Sequence, residues 1–199
     1  MKSETGPSST PRVEIFDHRP SWRDDFVRIA AVQRAALGPL ALRIDHIGST
    51  SVPGLCAKDV IDVQISVAAL DQSIVAALER IGYQRAQTIS TDHRPPDSTG
   101  PDTDWDKLYF RPPPGQRRTN THVRVLDRPN QRYALLFREY LIAHPKEAAA
   151  YGELKRRLAA SLADPEDYPD VKDPACDLIY LPAQRWAVAT QWRPRPSDA

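Results

Sequence analysis

The stretch HIGSTSVPGLCAKDVIDVQISV, residues 46–67, joins a loop rich in glycine, serine and threonine to a hydrophobic segment that contains one acid. The segment 59–67 is predicted to be a β-strand, in which successive side chains point to opposite faces of the sheet. One face is wholly apolar and consists of Ile61, Val63, Ile65 and Val67. The other carries Val60, Asp62, Gln64 and Ser66. An acid inside an apolar strand is costly unless it is solvated, paired or metal-bound, so Asp62 needs an explanation.

A second predicted strand, 121–126, repeats this arrangement. Asn120, His122 and Arg124 share one side, while the alternating residues are mostly apolar. The ordinary interpretation is that both polar stripes face water, which antiparallel sheets commonly allow. The functional interpretation is that the stripes bind an anion together with its metal ion. Asp62 and Gln64 would then supply oxygen ligands, and the guanidinium of Arg124 would bind phosphate oxygens.

The loop before the first strand has the composition of a phosphate-binding turn. Gly48 lets the backbone approach a ligand closely, and Ser49 and Thr50 supply hydroxyl and N–H donors. The loop is not a Walker A motif, because no Gly-Lys-Ser/Thr ends it. A Gly-Ser loop followed closely by a strand with a polar acid is typical of nucleotidyltransferases, in which the loop holds triphosphate and strand carboxylates hold Mg²⁺.

Composition narrows the class of protein. The chain has 199 residues, of which 41% are hydrophobic and 27% charged, as in soluble globular proteins. A net charge of +1 does not favour general nucleic-acid binding. No apolar run approaches the roughly 20 residues that span a bilayer, and the N-terminus has no signal-peptide pattern. We therefore expect a cytoplasmic protein without membrane association, with a monomer as the default state.

The chain is predicted to have an α/β core followed by helices. The core covers 12–129 and the helical portion 130–192, with mobile tails at 1–11 and 193–199. Periodicity predicts helices at 22–37, 71–81, 131–143, 145–162 and 175–191, and strands at 40–46, 59–67, 83–86, 108–110 and 121–126. The polar, proline-rich loop 87–106 is long for a compact domain, which favours disorder over a functional lid.

These motifs together resemble the GrpB-like family, which is placed within the nucleotidyltransferase superfamily. The resemblance extends from about Val13 to Trp192. It rests on six segments in the same order: HIGSTSVPGL (46–55), AKDVIDVQ (57–64), THVRV (121–125), ALLFREYLIAHP (134–145), AAAYGELKRRLA (148–159) and VKDPACDLI (171–179).

The resemblance implies a fold and a chemistry. The fold is α/β (α+β): a nucleotidyltransferase-like mixed sheet flanked by helices, with a helical C-terminal portion. The chemistry is Mg²⁺-dependent transfer of a nucleotide from ATP or another nucleoside triphosphate to a small-molecule hydroxyl, amine or carboxylate. Activation of a carboxylate would permit ATP-dependent amide ligation. The partners are thus a nucleoside triphosphate and a small acceptor.

The resemblance also assigns roles to individual residues. Gly48 and Ser49 match the phosphate loop, with Thr50 beside them, and Asp62 matches the first metal-binding acid. Gln64 stands where a second acid is expected, so the predicted metal ligands are Asp62 and Gln64.

Four further residues complete the predicted site. His122 is a candidate general base or further metal ligand, which makes Asp62 and His122 the predicted catalytic pair. Arg124, Lys155 and Lys172 are predicted to bind nucleotide, although the basic run around Lys155 also fits a solvated helix face.

Two alternatives to an enzyme remain. Because Gln64 is neutral, the first is a catalytically reduced nucleotide-binding or regulatory module. The second is a plain structural domain.

Overall fold

A computed structural model describes residues 13–96, 98–162, 164 and 167–199. The predicted tail 1–11 lies outside these residues. The helices are α1 (Ser21–Leu37), α2 (Gln72–Arg80), α3 (Pro129–Ala143), α4 (Pro145–Ser161) and α5 (Tyr168–Thr190). The strands are β1 (Arg43–Ile47), β2 (Ile61–Val67), β3 (Gln84–Arg85), β4 (Leu108–Arg111) and β5 (Thr119–Val125). The structure confirms the predicted mixed α+β fold with C-terminal helices.

The five strands form one mixed sheet in the order β1-β2-β5-β4-β3. The central pair, β2 and β5, is parallel, and the other pairs are antiparallel. In the central pair Asp62 lies opposite Asn120, Gln64 opposite His122 and Ser66 opposite Arg124. The two polar stripes that the sequence predicts separately are therefore neighbours on one face of the sheet.

The apolar face of the sheet packs against α1 and α2. Trp22, Phe26 and Ala30 recur at helical spacing along α1 and are fully or almost fully buried. They join Ile65 and Val123 in the larger of two hydrophobic clusters. Burial of a side chain of this size contributes about 1.5–3 kcal/mol, so this cluster is a main source of the stability of the fold.

The polar face is also covered, because α3 packs across it. Gln64 and Ser66 are 0% exposed and Arg124 is 5% exposed. The interpretation that this stripe faces water is therefore wrong for these three residues. A second hydrophobic cluster lies beyond α3, where α3, α4 and α5 pack through residues such as Leu141 and Tyr151.

Helix α5 begins seven residues earlier than the sequence predicts. The predicted start at 175 follows Pro174, whereas the observed helix starts at Tyr168 with Pro169 in its first turn. Proline is tolerated in the first turn of a helix, because the backbone N–H groups there have no acceptor within the helix and proline has no N–H to satisfy. Pro174 and Pro182 lie inside the helix. Because of the earlier start, Lys172 lies on α5.

The loop 87–106, described except for residue 97, is held at both ends by backbone hydrogen bonds. Thr91 and Asp106 form a β-bridge, and the N–H of Asp92 donates to the carbonyl of Trp105 over 2.9 Å. Residues Asp102–Trp105 form a short 3₁₀ turn. The described part of the loop therefore has a defined conformation, contrary to the expectation of disorder.

Residues 193–199, predicted to be a mobile tail, instead lie along the outer edge of β1. The N–H of Ala199 donates to the carbonyl of Ile44 over 3.1 Å, and the N–H of Ile44 donates to the hydroxyl of Ser197 over 2.8 Å. The carboxylate of Asp198 accepts from the N–H of His46 over 2.9 Å. These contacts attach the tail to the strand that leads into the Gly-Ser loop.

Candidate functional site

A cleft of about 370 Å³ lies between the polar face of the sheet and the C-terminal helices. Cavities of this size are typical of small-molecule sites. Its walls contain all but one of the predicted site residues: Gly48, Ser49, Thr50, Asp62, His122, Arg124, Lys155 and Lys172. Gln64 is not part of these walls. The cleft therefore brings together residues that are up to 124 positions apart in the sequence.

The Gly-Ser loop rests directly on Asp62. Gly48 has φ +69°, a backbone conformation that favours glycine, and a Cβ built there would lie 2.2 Å from Oδ2 of Asp62. Both the backbone and the close approach thus require glycine at this position. The hydroxyl of Ser51 donates to the carbonyl of Gly48 over 2.6 Å and closes the turn.

Thr50 anchors the loop to the core through His46. Thr50 Oγ1 lies 3.0 Å from Nε2 of His46, and the His46 ring stacks on Phe26 with centroids 4.8 Å apart. Burial lowers the pKa of His46 to about 4, so the ring is neutral at physiological pH. This hydrogen bond engages the hydroxyl of Thr50 in holding the loop.

Asp62 is positioned by a chain of hydrogen bonds across the sheet. The hydroxyl of Tyr109 donates to Oδ1 of Asn120 over 2.5 Å, and Nδ2 of Asn120 donates to Oδ1 of Asp62 over 2.7 Å. Burial raises the pKa of Asp62, while the bond from Asn120 and the charges of Lys172 and Arg124 oppose that rise. Asp62 is therefore a fixed carboxyl group in a poorly hydrated environment.

Asp92, a residue that sequence reasoning missed, is one of three acids in the cleft walls, together with Asp62 and Asp173. It accepts hydrogen bonds from Nε and Nη2 of Arg124, over 2.7 and 2.8 Å, and from Nζ of Lys107 over 2.7 Å. Burial would raise the pKa of Asp92, but the charges of Arg124 and Lys107 hold it well below its usual range. The loop that contains Asp92 has no local signal for this pairing, which depends on tertiary contacts.

Gln64 and Arg124 belong to the same buried network. Nη1 of Arg124 donates to Oε1 of Gln64 over 2.6 Å, and Nε2 of Gln64 donates to the carbonyl of Gln131 over 3.2 Å. Gln64 thus links the sheet to α3, and its position gives no geometric support to the prediction that it ligates a metal. Arg124 directs its N–H groups at Asp92 and Gln64, so much of its charge is already compensated.

His122 is held as a neutral ring. Its Nδ1 lies 3.3 Å from Nη2 of Arg124, which can only donate, so the proton of the neutral imidazole is assigned to Nε2. Burial, with the charges of Arg124 and Lys107, lowers the pKa of His122 well below its usual value. In this arrangement His122 presents a hydrogen-bond donor, which favours orientation of a ligand over the predicted role of general base.

The two predicted lysines lie on different helices and both reach the cleft. Lys155 of α4 is 2% exposed, so the solvated-face interpretation is wrong for it. Its ammonium donates to the carbonyl of Cys56 and lies 4.7 Å from the centroid of the Tyr151 ring, and burial lowers its pKa to about 8. Lys172 of α5 lies 3.8 Å from a carboxylate oxygen of Asp173.

The acids of the cleft are few for a metal centre. Among the described residues, the structure contains no group of three or more His, Cys, Asp or Glu side chains able to hold a metal ion. Asp92 is paired with two cations and Asp173 lies beside Lys172, which leaves Asp62 as the carboxyl group beside the Gly-Ser loop. A single carboxylate cannot enclose a metal ion. It would suit Mg²⁺, which commonly takes one or two protein carboxylates and completes its ligands with phosphates and waters.

The fold and the cleft together define a class of α+β proteins in which C-terminal helices close a polar sheet face. The family model described as GrpB protein matches residues 12–181, and the chain belongs to this family. The crystal structure of the conserved protein GrpB from Enterococcus faecalis is similar, with 30% identity and a TM-score of 0.70. That match covers 87% of this chain and 99% of the other.

Longer relatives are also similar. A dephospho-CoA kinase of Mycobacterium tuberculosis is 38% identical over 193 residues, which is 88% of this chain and 47% of that protein. A UPF0157 protein of Pseudomonas aeruginosa is 36% identical over 168 residues, which is 81% of this chain and 64% of that protein. The chain thus spans about half the length of the mycobacterial relatives. Among the described residues, no helix has the length and hydropathy needed to cross a membrane.

Proposed function

We propose that this protein binds a nucleoside triphosphate with Mg²⁺ and transfers its nucleotide to a small-molecule acceptor, in the manner of a nucleotidyltransferase. The observation that carries the proposal is the direct contact between the Gly48 loop and Asp62, with two lysines in the same cleft. A glycine loop offers backbone N–H donors to phosphate, while the carboxylate and the lysines match a metal ion and its triphosphate.

The proposed roles follow from charge and position. The N–H groups and the hydroxyl of the Gly48–Ser49 segment bind the terminal phosphates, and Lys155 and Lys172 balance their charge. Bound Mg²⁺, held by Asp62 and the phosphates, would neutralise developing charge and favour in-line attack. His122 donates from Nε2 to orient either the triphosphate or the acceptor. Phosphate binding would also favour the charged form of Lys155, because a nearby anion raises the pKa of an ammonium.

The name dephospho-CoA kinase does not transfer directly to this chain. The mycobacterial relatives are about twice as long, and the region similar to this chain is only half of each. The Gly-Ser loop also lacks the lysine of a Walker A motif. Nucleotide transfer, rather than a P-loop kinase reaction, therefore matches the residues of this cleft better.

A catalytically reduced nucleotide-binding module is a second candidate. One observation favours it: Gln64 occupies the position of the expected second acid and is committed to Arg124 and Gln131. With a single carboxylate beside the loop, a two-metal mechanism would require groups supplied by the substrate. In that case nucleotide binding would serve regulation, without turnover.

Thermal unfolding in the presence of ATP, CTP or GTP, with and without Mg²⁺, tests nucleotide binding. We expect one nucleotide to raise the unfolding temperature in an Mg²⁺-dependent manner. Asp62→Asn should remove the Mg²⁺ dependence and Lys172→Met should weaken binding. Lys146→Met, an exposed lysine on α4, is the matched control and should change neither.

Pyrophosphate release distinguishes the two candidates. A panel of hydroxyl, amine and carboxylate acceptors is supplied with the nucleotide that stabilises the protein. Acceptor-dependent pyrophosphate that disappears in Asp62→Asn supports transfer. Mg²⁺-dependent binding without pyrophosphate release over the panel supports the binding module, and the absence of any nucleotide effect refutes both.

A further inference from the structure

Three buried polar atoms of cleft-lining residues lack hydrogen-bond partners among the described residues: Nε1 of Trp105, Oδ1 of Asn130 and the hydroxyl oxygen of Tyr168. Trp105 and Asn130 are only 4% and 1% exposed, and Asp106 connects them, whereas Tyr168 lies at the start of α5. Buried polar groups in folded proteins are nearly always paired, so each exception requires a reason. A ligand that pairs with the indole N–H of Trp105 and the amide oxygen of Asn130 would supply one for these two atoms.

The orientation of the Asn130 amide is determined by its neighbours. Its Nδ2 donates to Oδ2 of Asp92 over 3.1 Å and to the carbonyl of Asp106 over 3.0 Å. Because both partners can only accept, the NH₂ group must lie on their side and Oδ1 on the other. Oδ1 is therefore a fixed acceptor, while the indole N–H of Trp105 can only donate.

Trp105 and Asn130 are connected through two of their neighbours, Asp106 and Tyr133. Asp106, whose carbonyl binds Asn130, directly follows Trp105 in the chain. Tyr133, one helical turn after Asn130, lies edge-to-face with Trp105 at a centroid distance of 6.4 Å and also lines the cleft. Trp105, Asn130 and Tyr133 thus provide a neutral donor, a neutral acceptor and an aromatic ring among the residues that line the cleft, and we call this group the Trp105–Asn130 corner.

We infer that the Trp105–Asn130 corner binds the base of the nucleotide. A nucleobase carries a ring nitrogen or carbonyl acceptor next to an N–H donor, and this edge complements the indole N–H and the amide oxygen. The aromatic side chain of Tyr133 provides apolar contact for the face of the base. This inference rests on the proposed function, because the Gly48 loop and the lysines of the same cleft would hold the phosphates.

The Trp105–Asn130 corner is tested with probes that carry either the base or the phosphates of a nucleotide, but not both. Calorimetry measures binding of adenosine, cytidine, guanosine and uridine, which carry no phosphate, and of inorganic tripolyphosphate with Mg²⁺, which carries no base. Trp105→Phe removes the N–H and keeps an aromatic ring. We expect this variant to bind the preferred nucleoside about three- to tenfold more weakly, as for loss of one hydrogen bond, and to bind tripolyphosphate unchanged.

Trp186→Phe is the matched control, because Trp186 packs against Tyr140 and His144 and is not part of the cleft walls. It should bind nucleosides and tripolyphosphate as the unmodified protein does. Far-ultraviolet circular dichroism and the unfolding temperature establish that both variants are folded.

An analogue gives a second readout that needs no variant. If adenosine is preferred, purine riboside, which lacks the amino donor, should bind about three- to tenfold more weakly. If uridine is preferred, 3-methyluridine serves the same purpose. Equal binding of the nucleoside and its analogue, or of Trp105→Phe and the unmodified protein, overturns the inference.

The outcomes separate the two proposals. Tripolyphosphate binding without any nucleoside binding at millimolar concentration overturns the base corner and leaves the proposed function standing. Nucleoside binding that depends on Trp105, without binding of tripolyphosphate or any triphosphate, supports the corner and refutes the proposed function.

Discussion

Both faces of β2 contain fully buried residues, but these residues are stabilised in different ways. Ile61, Val63 and Ile65 on one face contact α1 and α2 through apolar surface alone. Gln64 on the other face is just as inaccessible, yet hydrogen bonds satisfy both ends of its amide. Apolar packing depends on shape and area, whereas a buried polar network depends on every partner being present.

This difference explains where the cleft lies. An apolar face can be filled closely by neighbouring side chains, which leaves little space for a polar ligand. A polar face covered by helices keeps charged groups in a poorly hydrated environment, where their interactions are strong. The cleft occupies the part of the polar face around Asp62 and His122 that α3 leaves uncovered.

The largest effect is expected when the polar network is broken at its centre. Arg124→Met should reduce the free energy of unfolding by about 3–5 kcal/mol, because it leaves Asp92 buried with Lys107 as its remaining cation. Urea unfolding at pH 7 measures the change. Arg111→Met, an exposed arginine at the end of β4, is the control and should stay within about 0.5 kcal/mol. A loss for Arg124→Met as small as that of the control would show that the network does not stabilise the fold.

Gln64→Glu tests whether the missing second acid can be restored. The substitution removes the donor to the carbonyl of Gln131, and we expect a loss of about 1–3 kcal/mol in urea unfolding. Since position 64 does not line the cleft, Mg²⁺-dependent nucleotide binding should not improve. Gln72→Glu at the exposed start of α2 is the control for the added charge. Tighter Mg²⁺ binding in Gln64→Glu would mean that the side chain reaches the metal after all.

On the apolar face a conservative change should have a smaller effect. Ile65→Val removes one methylene from a fully buried position and should cost about 0.5–1.5 kcal/mol in the same assay. Nucleotide binding should be unchanged, because Ile65 points away from the cleft. Val27→Ala, on the exposed side of α1, controls for the loss of apolar volume. Reduced nucleotide binding in Ile65→Val would show that the two faces are coupled.

Asp62→Asn should have the smallest effect on stability, and the effect should be a gain. Burial raises the pKa of Asp62, so ionisation of this group opposes folding at neutral pH. Asparagine removes the charge and can still accept from Asn120, which predicts a gain of about 0.5 kcal/mol at pH 7–8. The penalty grows as the pH rises above the unfolded pKa of about 4 and is complete above the folded pKa, so the gain should vanish below about pH 4. A variant less stable than the parent at pH 8 would contradict this assignment.

The sequence predicts the residues of each face but not how the two strands meet. Alternation in 59–67 and 121–126 places Asp62 with Gln64 and His122 with Arg124, because side-chain direction is a local property of a strand. Their parallel pairing depends on a crossover through α2, β3 and β4, which no local pattern specifies. The order of the motif segments predicts the family correctly, and the family match covers residues 12–181.

Long-range partners account for what the sequence does not predict. Asp92 lies 32 residues from Arg124, in a loop whose composition suggests disorder. Gln64 is predicted as a metal ligand from its position in a motif, and its actual partners come from β5 and α3. Lys155 sits in a basic run that is typical of a solvated face, yet the packing of α4 buries it while Arg156 and Arg157 remain exposed.

The tail along β1 has a consequence for the behaviour of the protein in concentrated solution. An exposed edge strand offers unpaired N–H and C=O groups to the edges of other molecules and so promotes aggregation. Ser197, Asp198 and Ala199 occupy such groups on Ile44 and His46. Residues 197–199 therefore block the β1 edge of the sheet from pairing with strands of other molecules.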